Sequence, residues 1–297
     1  MPIVKHFEYL RPKPLRSGDA ILLAAPARWA SEEVIQSAVA AVEAAGFRAV
    51  IAEGLDARDG QFGGADSHRA EILNAGFRQP DIRAIWALRG GYGCARLLPL
   101  LDAEAFRADP TWIVGFSDVT VLHLWAQSQG IASLHAPVAS TFQSSLKADR
   151  DSMWSKLTES GIPGADRPVL GGNLSVLYSL LGTPDLPDFQ GAWLLLEDLD
   201  EYLYHIDRMF CALRLAGILD AVHGLLMGSF SDLHDNTIAS GQSHDNPFGR
   251  DLHTIVKEHL PGGKPVIWDV PVGHGVRNLA VVMGGRDDWS GSGTGTP

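Results

Sequence analysis

One serine of this chain lies where an apolar, strand-like segment passes directly into a helix-like one. Ser117 stands in the tetrapeptide GFSD at 115–118, and a helical segment begins at Val119. A serine on such a sharp turn exposes its hydroxyl, and the free N–H groups at the start of the helix suit a developing negative charge on oxygen. Val119 stands where a G-x-S-x-G pattern needs its second glycine, so an ordinary helix-capping serine is the alternative.

A glycine-rich loop, RGGYG at 89–93, directly follows another apolar segment. Adjacent glycines allow backbone N–H groups to approach a substrate closely. The spacing departs from the dinucleotide-binding pattern G-x-G-x-x-G, which favours a site for a peptide carbonyl over a nucleotide site. A tight turn between a strand and a helix, without chemistry, is the alternative.

A serine nucleophile needs a base, and the base needs a carboxylate that orients it. Of the eleven histidines, His274 lies between two glycines after an apolar strand, and His135 ends another strand. His123 lies inside the helix after the serine, where packing is its expected role. Glu197 ends the apolar run AWLLLE and is the favoured carboxylate, although it also begins a run of acidic residues typical of a solvated turn.

Two other groups could carry chemistry. Cys94 opens a helix after a glycine turn, where a thiolate would be stabilised, but a lone cysteine is more commonly a small buried residue. The tripeptide HDN occurs at 234–236 and again at 244–246, a spacing that could hold a metal ion. The Gly, Ser and Asn residues around both copies favour an exposed loop instead, so no metal and no cofactor are expected.

The elements that must position these residues alternate between strands and helices in the first half. Strands are predicted at 20–25, 48–52, 82–88, 112–115 and 131–134. Short connections between them predict a parallel sheet with helices on both faces. Ligands bind at the carboxyl ends of such strands, where RGGYG and GFSD both lie.

The second half predicts a separate, smaller α/β unit. The Gly/Pro-rich segment GIPGADRP at 161–168 predicts a boundary near residue 166, which gives domains 1–165 and 166–297. Helices are expected at 173–181, 205–216 and 250–259, and strands at 192–196, 224–227, 265–268 and 279–283. The tail from about residue 287 is low in complexity and is expected to be disordered.

Composition excludes several classes of function. The chain has 297 residues, of which 45% are hydrophobic, so it can bury a large core. Its formal net charge of −11 disfavours nucleic acid and anionic membrane as partners. Two cysteines make no disulfide framework, and the N-terminal segment lacks the apolar core of a secretory signal. A cytoplasmic protein is expected.

Taken together and in order, six segments of the chain resemble the LD-carboxypeptidase family of serine peptidases, which includes the microcin-immunity peptidases. The resemblance extends from about Gly18 to Gly284. Each motif is weak alone, but six in the same order are specific. The segments are LRGGYGCARLLPLLD at 88–102, IVGFSDVTVLHL at 113–124, HAP at 135–137, GGNLSVLYSLLGTP at 171–184, LLLEDLDEYLYHIDRMF at 194–210 and VPVGHG at 270–275.

The resemblance implies a catalytic triad of Ser117, Glu197 and His274. It further implies an oxyanion hole built from the backbone N–H groups of Asp118 and Gly91, with Gly90 as the alternative to Gly91. The implied fold is a flavodoxin-like N-terminal domain that carries the serine and a smaller C-terminal α/β domain that carries the other two residues. No metal or cofactor is implied, and family members are commonly homodimers.

The resemblance implies one of two substrate classes. One is the terminal D-alanine of cytoplasmic muropeptide tetrapeptides, and the other is a peptide–nucleotide antibiotic of the microcin type. The segment EYLYHIDRM at 201–209 resembles the muropeptide branch. Leu181 and Leu194 are only 13 positions apart, which is short for a nucleobase-stacking loop. A non-catalytic peptide- or nucleotide-binding protein is the third hypothesis, which the intact triad residues oppose.

Overall fold

A computed structural model describes residues 9–159, 167–235 and 246–285. The boundary predicted near residue 166, most of the Gly/Pro-rich segment before it, most of the second HDN tripeptide and the tail from about residue 287 lie outside the described residues. The division into two domains therefore stays a prediction.

The first sheet has six strands and is mixed. Its strands are β1 (Ala20–Ala24), β2 (Arg48–Ile51), β3 (Ile82–Ala87), β4 (Trp112–Gly115), β5 (Ser133–His135) and β10 (Val281–Met283). The first five are parallel in the order β2-β1-β3-β4-β5, which confirms the flavodoxin-like arrangement. One edge of the sheet departs from the parallel arrangement, because β10 pairs with β5 in the antiparallel direction. This strand belongs to the segment that the sequence assigned to the second domain.

Helices cover both faces of the first sheet. Successive residues of β1 pack into two different hydrophobic clusters. Leu22 belongs to the first cluster and Leu23 to the second. None of the helices in the described parts of the chain is long and apolar enough to cross a membrane. The helices are α1 (Glu32–Ala44), α2 (Asp66–Arg78), α3 (Ala103–Ala108), α4 (Thr120–Ser128), α5 (Ala139–Phe142), α6 (Lys147–Thr158), α7 (Leu174–Ser179), α8 (Leu203–Leu215), α9 (Ile218–Ala221) and α10 (Leu252–His259), with 3-10 helices at Cys94–Leu100 and Ser117–Val119.

The second sheet has four parallel strands in the order β6-β7-β8-β9. These are β6 (Val169–Asn173), β7 (Trp193–Leu199), β8 (Gly224–Ser231) and β9 (Val266–Ile267). The sequence did not predict β6, which contains Gly171 and Gly172, because glycine is a weak strand former. A Cβ at Gly171 would lie 2.3 Å from the carbonyl oxygen of Leu195, so the close pairing with β7 requires glycine there.

The two sheets are joined by backbone hydrogen bonds beside β10. The N–H of Val169 donates to the carbonyl of Gly285 at 2.9 Å, and the N–H of Gly284 donates to the carbonyl of Val169 at 2.7 Å. Strand β10 therefore completes the first sheet on one side and contacts the first strand of the second sheet on the other.

Candidate active site

Ser117 lies at the carboxyl end of β4, at the first residue of a 3-10 helix that continues into α4. Its φ angle is 63°, a left-handed conformation that is uncommon for a residue other than glycine and that costs on the order of 1–3 kcal/mol. A Cβ at Gly90 would lie 2.9 Å from Cβ and 3.0 Å from Oγ of Ser117. The strained turn thus directs the hydroxyl toward the glycine-rich loop, and only glycine at position 90 leaves space for it.

His274 and Glu197 form a hydrogen-bonded pair. Nδ1 of His274 donates to Oε2 of Glu197 at 2.6 Å, and the glutamate side chain is fully buried. Because Nδ1 carries the proton, Nε2 of the neutral ring is free to accept one. Burial alone would lower the pKa of His274, but the hydrogen bond and charge of Glu197, together with the charge of Asp198, outweigh it and raise the pKa.

Glu197 lies within β7, two residues before its end, rather than at the end as the sequence predicted. The register between β7 and β8 shifts between Leu196 and Asp198, so Glu197 occupies an irregularity of the ladder, a feature that can redirect a side chain. A Cβ at Gly273 would lie 2.7 Å from Oε2 of Glu197 and 2.6 Å from Oγ of Ser229. The glycine before His274 therefore allows the histidine loop to approach the glutamate closely.

Ser117 and His274 line one cleft of about 670 Å³. The ring of Phe116, the residue before the serine, contacts the His274 ring at a centroid distance of 4.7 Å. Among the described residues no hydrogen bond joins Ser117 Oγ to His274. The residues that line the cleft are Arg28, Arg89, Gly90, Gly91, Phe116, Ser117, Val138, Ser140, Thr141, Leu199 and His274.

Two backbone N–H groups beside Ser117 donate to no protein acceptor among the described residues. Within the described ranges no acceptor takes the N–H of Gly91, whose φ is 113°. The N–H of Asp118 belongs to the first turn of the 3-10 helix, where the helix itself offers no acceptor. The Asp118 carboxylate is buried and accepts the N–H of Cys94 at 2.8 Å, which ties the glycine-rich loop to the serine turn. Burial raises the pKa of Asp118.

A buried network that the sequence did not reveal connects the serine helix to the glutamate strand. The N–H of Asn173 donates to Oγ1 of Thr120 at 3.0 Å, and its side-chain amide donates to Asp198 at 3.0 Å. Asp198 also accepts the N–H groups of Ser175 and Leu199. Burial and the nearby charge of Glu197 raise the pKa of Asp198 to about 6. The pairing of Asn173 with a neighbouring strand end is long-range, so no local pattern indicated it.

A second buried carboxylate holds the histidine loop from the first half of the chain. Asp149 of α6 accepts a hydrogen bond from Nε of Arg277 at 2.9 Å and another from the N–H of Asn278 at 3.0 Å. The side chain of Asn278 in turn accepts the N–H of Gly273 at 3.0 Å. Residues from both halves of the chain therefore position the backbone on either side of His274.

The alternative histidines lie behind the cleft, not in it. His123 contacts the carbonyl of Gly115 and the hydroxyl of Ser133, which confirms its packing role, and burial lowers its pKa to about 4. His135 is fully buried and is absent from the cleft lining, so the expectation that it could line the cleft is wrong. Burial lowers the pKa of His135 well below its ordinary value.

The surroundings of Cys94 and His234 indicate structural roles for both residues. The Cys94 side chain is fully buried, and burial with the neighbouring Asp118 raises its pKa well above the ordinary value, which opposes a nucleophilic thiolate. Nε2 of His234 contacts Asp200 at 2.7 Å. In the described segments there is no group of three His, Cys, Asp or Glu residues arranged to hold a metal ion.

The sequence and fold of the chain match known proteins along most of its length. Two family models match, the LD-carboxypeptidase N-terminal domain over residues 21–136 and the LD-carboxypeptidase C-terminal domain over residues 168–287. The chain is 34% identical to the Streptomyces coelicolor protein SCO6489, a carboxypeptidase by name, with 93% of this chain and 92% of that one covered. It is 30% identical to the murein tetrapeptide carboxypeptidase of Pseudomonas aeruginosa, with 91% and 94% covered. The crystal structure of muramoyltetrapeptide carboxypeptidase from Oxalobacter formigenes matches with a TM-score of 0.76 at 26% identity and covers 90% of this chain and 93% of that one.

Proposed function

This chain belongs to the LD-carboxypeptidase family of serine peptidases, and from that premise we propose that it removes the terminal D-alanine from muropeptide tetrapeptides with Ser117, His274 and Glu197 as its triad. The observation that carries the proposal is the 2.6 Å hydrogen bond from His274, which lines the same cleft as Ser117, to the fully buried Glu197 behind it. This pair supplies an oriented base, and the strained turn supplies a half-buried hydroxyl that lines the cleft.

The first half of the reaction is acylation. Oγ of Ser117 attacks the carbonyl carbon of the bond before D-alanine, while Nε2 of His274 takes the hydroxyl proton. The N–H groups of Gly91 and Asp118 donate to the oxyanion of the tetrahedral intermediate. Glu197 stabilises the imidazolium that forms. His274 then gives the proton to the leaving nitrogen, the C–N bond breaks and D-alanine departs.

The second half is hydrolysis of the acyl-enzyme. A water molecule replaces the departed amine, His274 takes one of its protons, and the oxygen attacks the ester carbonyl. Collapse of the second tetrahedral intermediate returns the proton to Ser117 and releases the tripeptide with a new carboxylate. Protein groups carry every step, so the proposal includes no metal or cofactor.

The family resemblance supports the remaining parts of the proposal. These are a cytoplasmic location, where muropeptides would be recycled, a homodimeric assembly and a small peptide as the only substrate partner, without nucleic acid or membrane. The division into an N-terminal domain at 1–165 and a C-terminal domain at 166–297 places Ser117 in one and the His274–Glu197 pair in the other. Closure of the two halves would then shorten the path from Ser117 Oγ to His274.

The test is incubation with L-Ala-γ-D-Glu-meso-diaminopimelate-D-Ala and mass-spectrometric detection of the products. We expect equal amounts of D-alanine and tripeptide from the wild type and none from Ser117→Ala. Cleavage of an acyl-sulfamoyl nucleotide without any release of D-alanine would replace the proposal with the peptide–nucleotide alternative. Binding of the tetrapeptide without cleavage of either substrate would favour the non-catalytic alternative.

A further inference from the structure

The cleft around Ser117 is cationic, although the chain as a whole is acidic. The formal net charge is −11, yet the charged side chains of the lining are Arg28 and Arg89, and the lining includes neither Asp nor Glu. Elsewhere, arginines such as Arg83 and Arg277 bind carboxylates, at 2.9 Å in both cases. Within the described residues neither cleft arginine has a carboxylate partner. The cleft therefore offers guanidinium groups to an anion from outside.

Arg28 lies directly against the glycine that supplies the oxyanion-binding N–H. A Cβ at Gly91 would lie 2.2 Å from Cδ and 2.5 Å from Cγ of Arg28, so the arginine stem crosses the face of this glycine. Arg28 is exposed and follows β1 by four residues, at the carboxyl edge of the sheet where ligands bind. Its guanidinium is thus held next to the place where the scissile carbonyl oxygen would bind.

This location matches the chemistry of a peptide that ends one residue beyond the cleaved bond. In such a substrate the terminal carboxylate is three covalent bonds from the scissile carbonyl carbon, within roughly 5 Å of it. A guanidinium binds a carboxylate through two parallel N–H···O bonds, which fix both position and orientation. An endopeptidase substrate has a neutral amide at the same place, so a guanidinium group there would not strengthen its binding.

We propose that Arg28 binds the terminal carboxylate of the substrate and thereby restricts the enzyme to the last peptide bond. The inference rests on the proposed carboxypeptidase chemistry at Ser117 and adds the specificity residue to it. Arg89 precedes Gly90 in the same lining and adds a second positive charge to the cleft. The ligand class of this subsite is the free α-carboxylate of a C-terminal amino acid.

The kinetic test compares the tetrapeptide with its C-terminal amide, which has the same scissile bond and no terminal charge. We expect the wild type to prefer the acid, and Arg28→Gln to lose about 10–100-fold in kcat/KM on the acid with little change on the amide. Arg28→Lys should keep part of the preference because it keeps the charge. Arg16→Gln is the matched control, since Arg16 is exposed and precedes β1 at the opposite edge of the sheet.

A binding test decides the inference independently of turnover. Calorimetry with Ser117→Ala should show tighter binding of the acid than of the amide, and the added substitution Arg28→Gln should abolish the difference. Equal binding of acid and amide by Ser117→Ala, or a preference that survives Arg28→Gln, would overturn the role of Arg28. Selective binding of the acid without D-alanine release by the wild type would refute the proposed function and leave this carboxylate subsite standing.

Discussion

The two sides of the cleft are positioned by different physical means. On the first sheet, main-chain geometry places Ser117, through a φ of 63° and the absence of a side chain at Gly90. On the second sheet, side-chain hydrogen bonds place His274, through Glu197 directly and through Asn278 and Asp149 behind its loop. Ser117 thus depends on a backbone that leaves no room for added atoms, and His274 depends on a buried network of polar side chains.

Loss of the proposed nucleophile, Ser117, should produce the largest effect on activity. Ser117→Ala removes the attacking oxygen, and we expect kcat to fall by at least roughly 10⁴-fold. The midpoint of thermal unfolding should change little, because the hydroxyl makes no hydrogen bond among the described residues. Cys94→Ser is the matched control and should keep activity. Wild-type turnover by Ser117→Ala together with an inactive Cys94→Ser would move the nucleophile to Cys94.

Loss of the Glu197 charge behind His274 should have the second largest effect on activity. It should also change the pH profile of kcat/KM. Only the neutral imidazole can accept a proton, so kcat/KM falls as the pH drops through the pKa of His274. The Glu197 carboxylate raises this pKa, so Glu197→Gln should shift the acid limb to lower pH and reduce the plateau by roughly 10³-fold. An acid limb at the same pH in both enzymes would show that another group titrates.

A methyl group beside the serine should have an intermediate effect. In Gly90→Ala the new Cβ would lie 2.9 Å from Cβ of Ser117, so the serine turn must shift. We expect roughly a 100-fold loss of kcat with the fold retained, since misplacement of a reacting group by about 1 Å costs this much. Gly262→Ala, where a Cβ meets nothing within 4 Å, is the control. Unchanged kcat in Gly90→Ala would show that the close contact does not position Ser117.

Loss of the contact between the two sides should have the smallest effect on rate. Thr120→Val keeps the shape of the side chain but removes the hydroxyl that accepts the N–H of Asn173. A buried donor without a partner costs about 1–3 kcal/mol, so the free energy of unfolding should fall by that amount while kcat changes less than about tenfold. An undiminished free energy of unfolding in urea titrations would mean that water or movement replaces the bond.

The sequence predicted the strands of the first sheet well, because each is a continuous apolar run bounded by turn residues. It could not predict the place of β10, since a strand of three residues far along the chain pairs with β5 only through tertiary packing. It also missed β6, whose glycines are explained by the backbone of β7 lying close against them. Both β10 and β6 are therefore strands whose pairing depends on a part of the chain that is distant in sequence.

At the site, too, the sequence indicated residues with a local pattern and missed residues whose contacts are long-range. Ser117 and His274 were indicated by local context, a strand end and flanking glycines, and both line the cleft. Asn173 and Asp149 were missed, because their partners are 25 to 129 residues away and no local pattern marks them. Arg28 was missed because a single arginine after a strand is typical of an ordinary surface. The carboxyl end of β1 was the one signal that could have indicated it.

The proposed triad requires that Glu197 act only through His274, so that these two residues form one catalytic unit. This requirement is tested by kcat/KM for D-alanine release by the wild type, His274→Ala, Glu197→Gln and the double variant. Members of a triad are non-additive, so we expect the double variant to be scarcely slower than His274→Ala alone. Losses that multiply would contradict the account, because Glu197 would then act apart from the histidine that it binds.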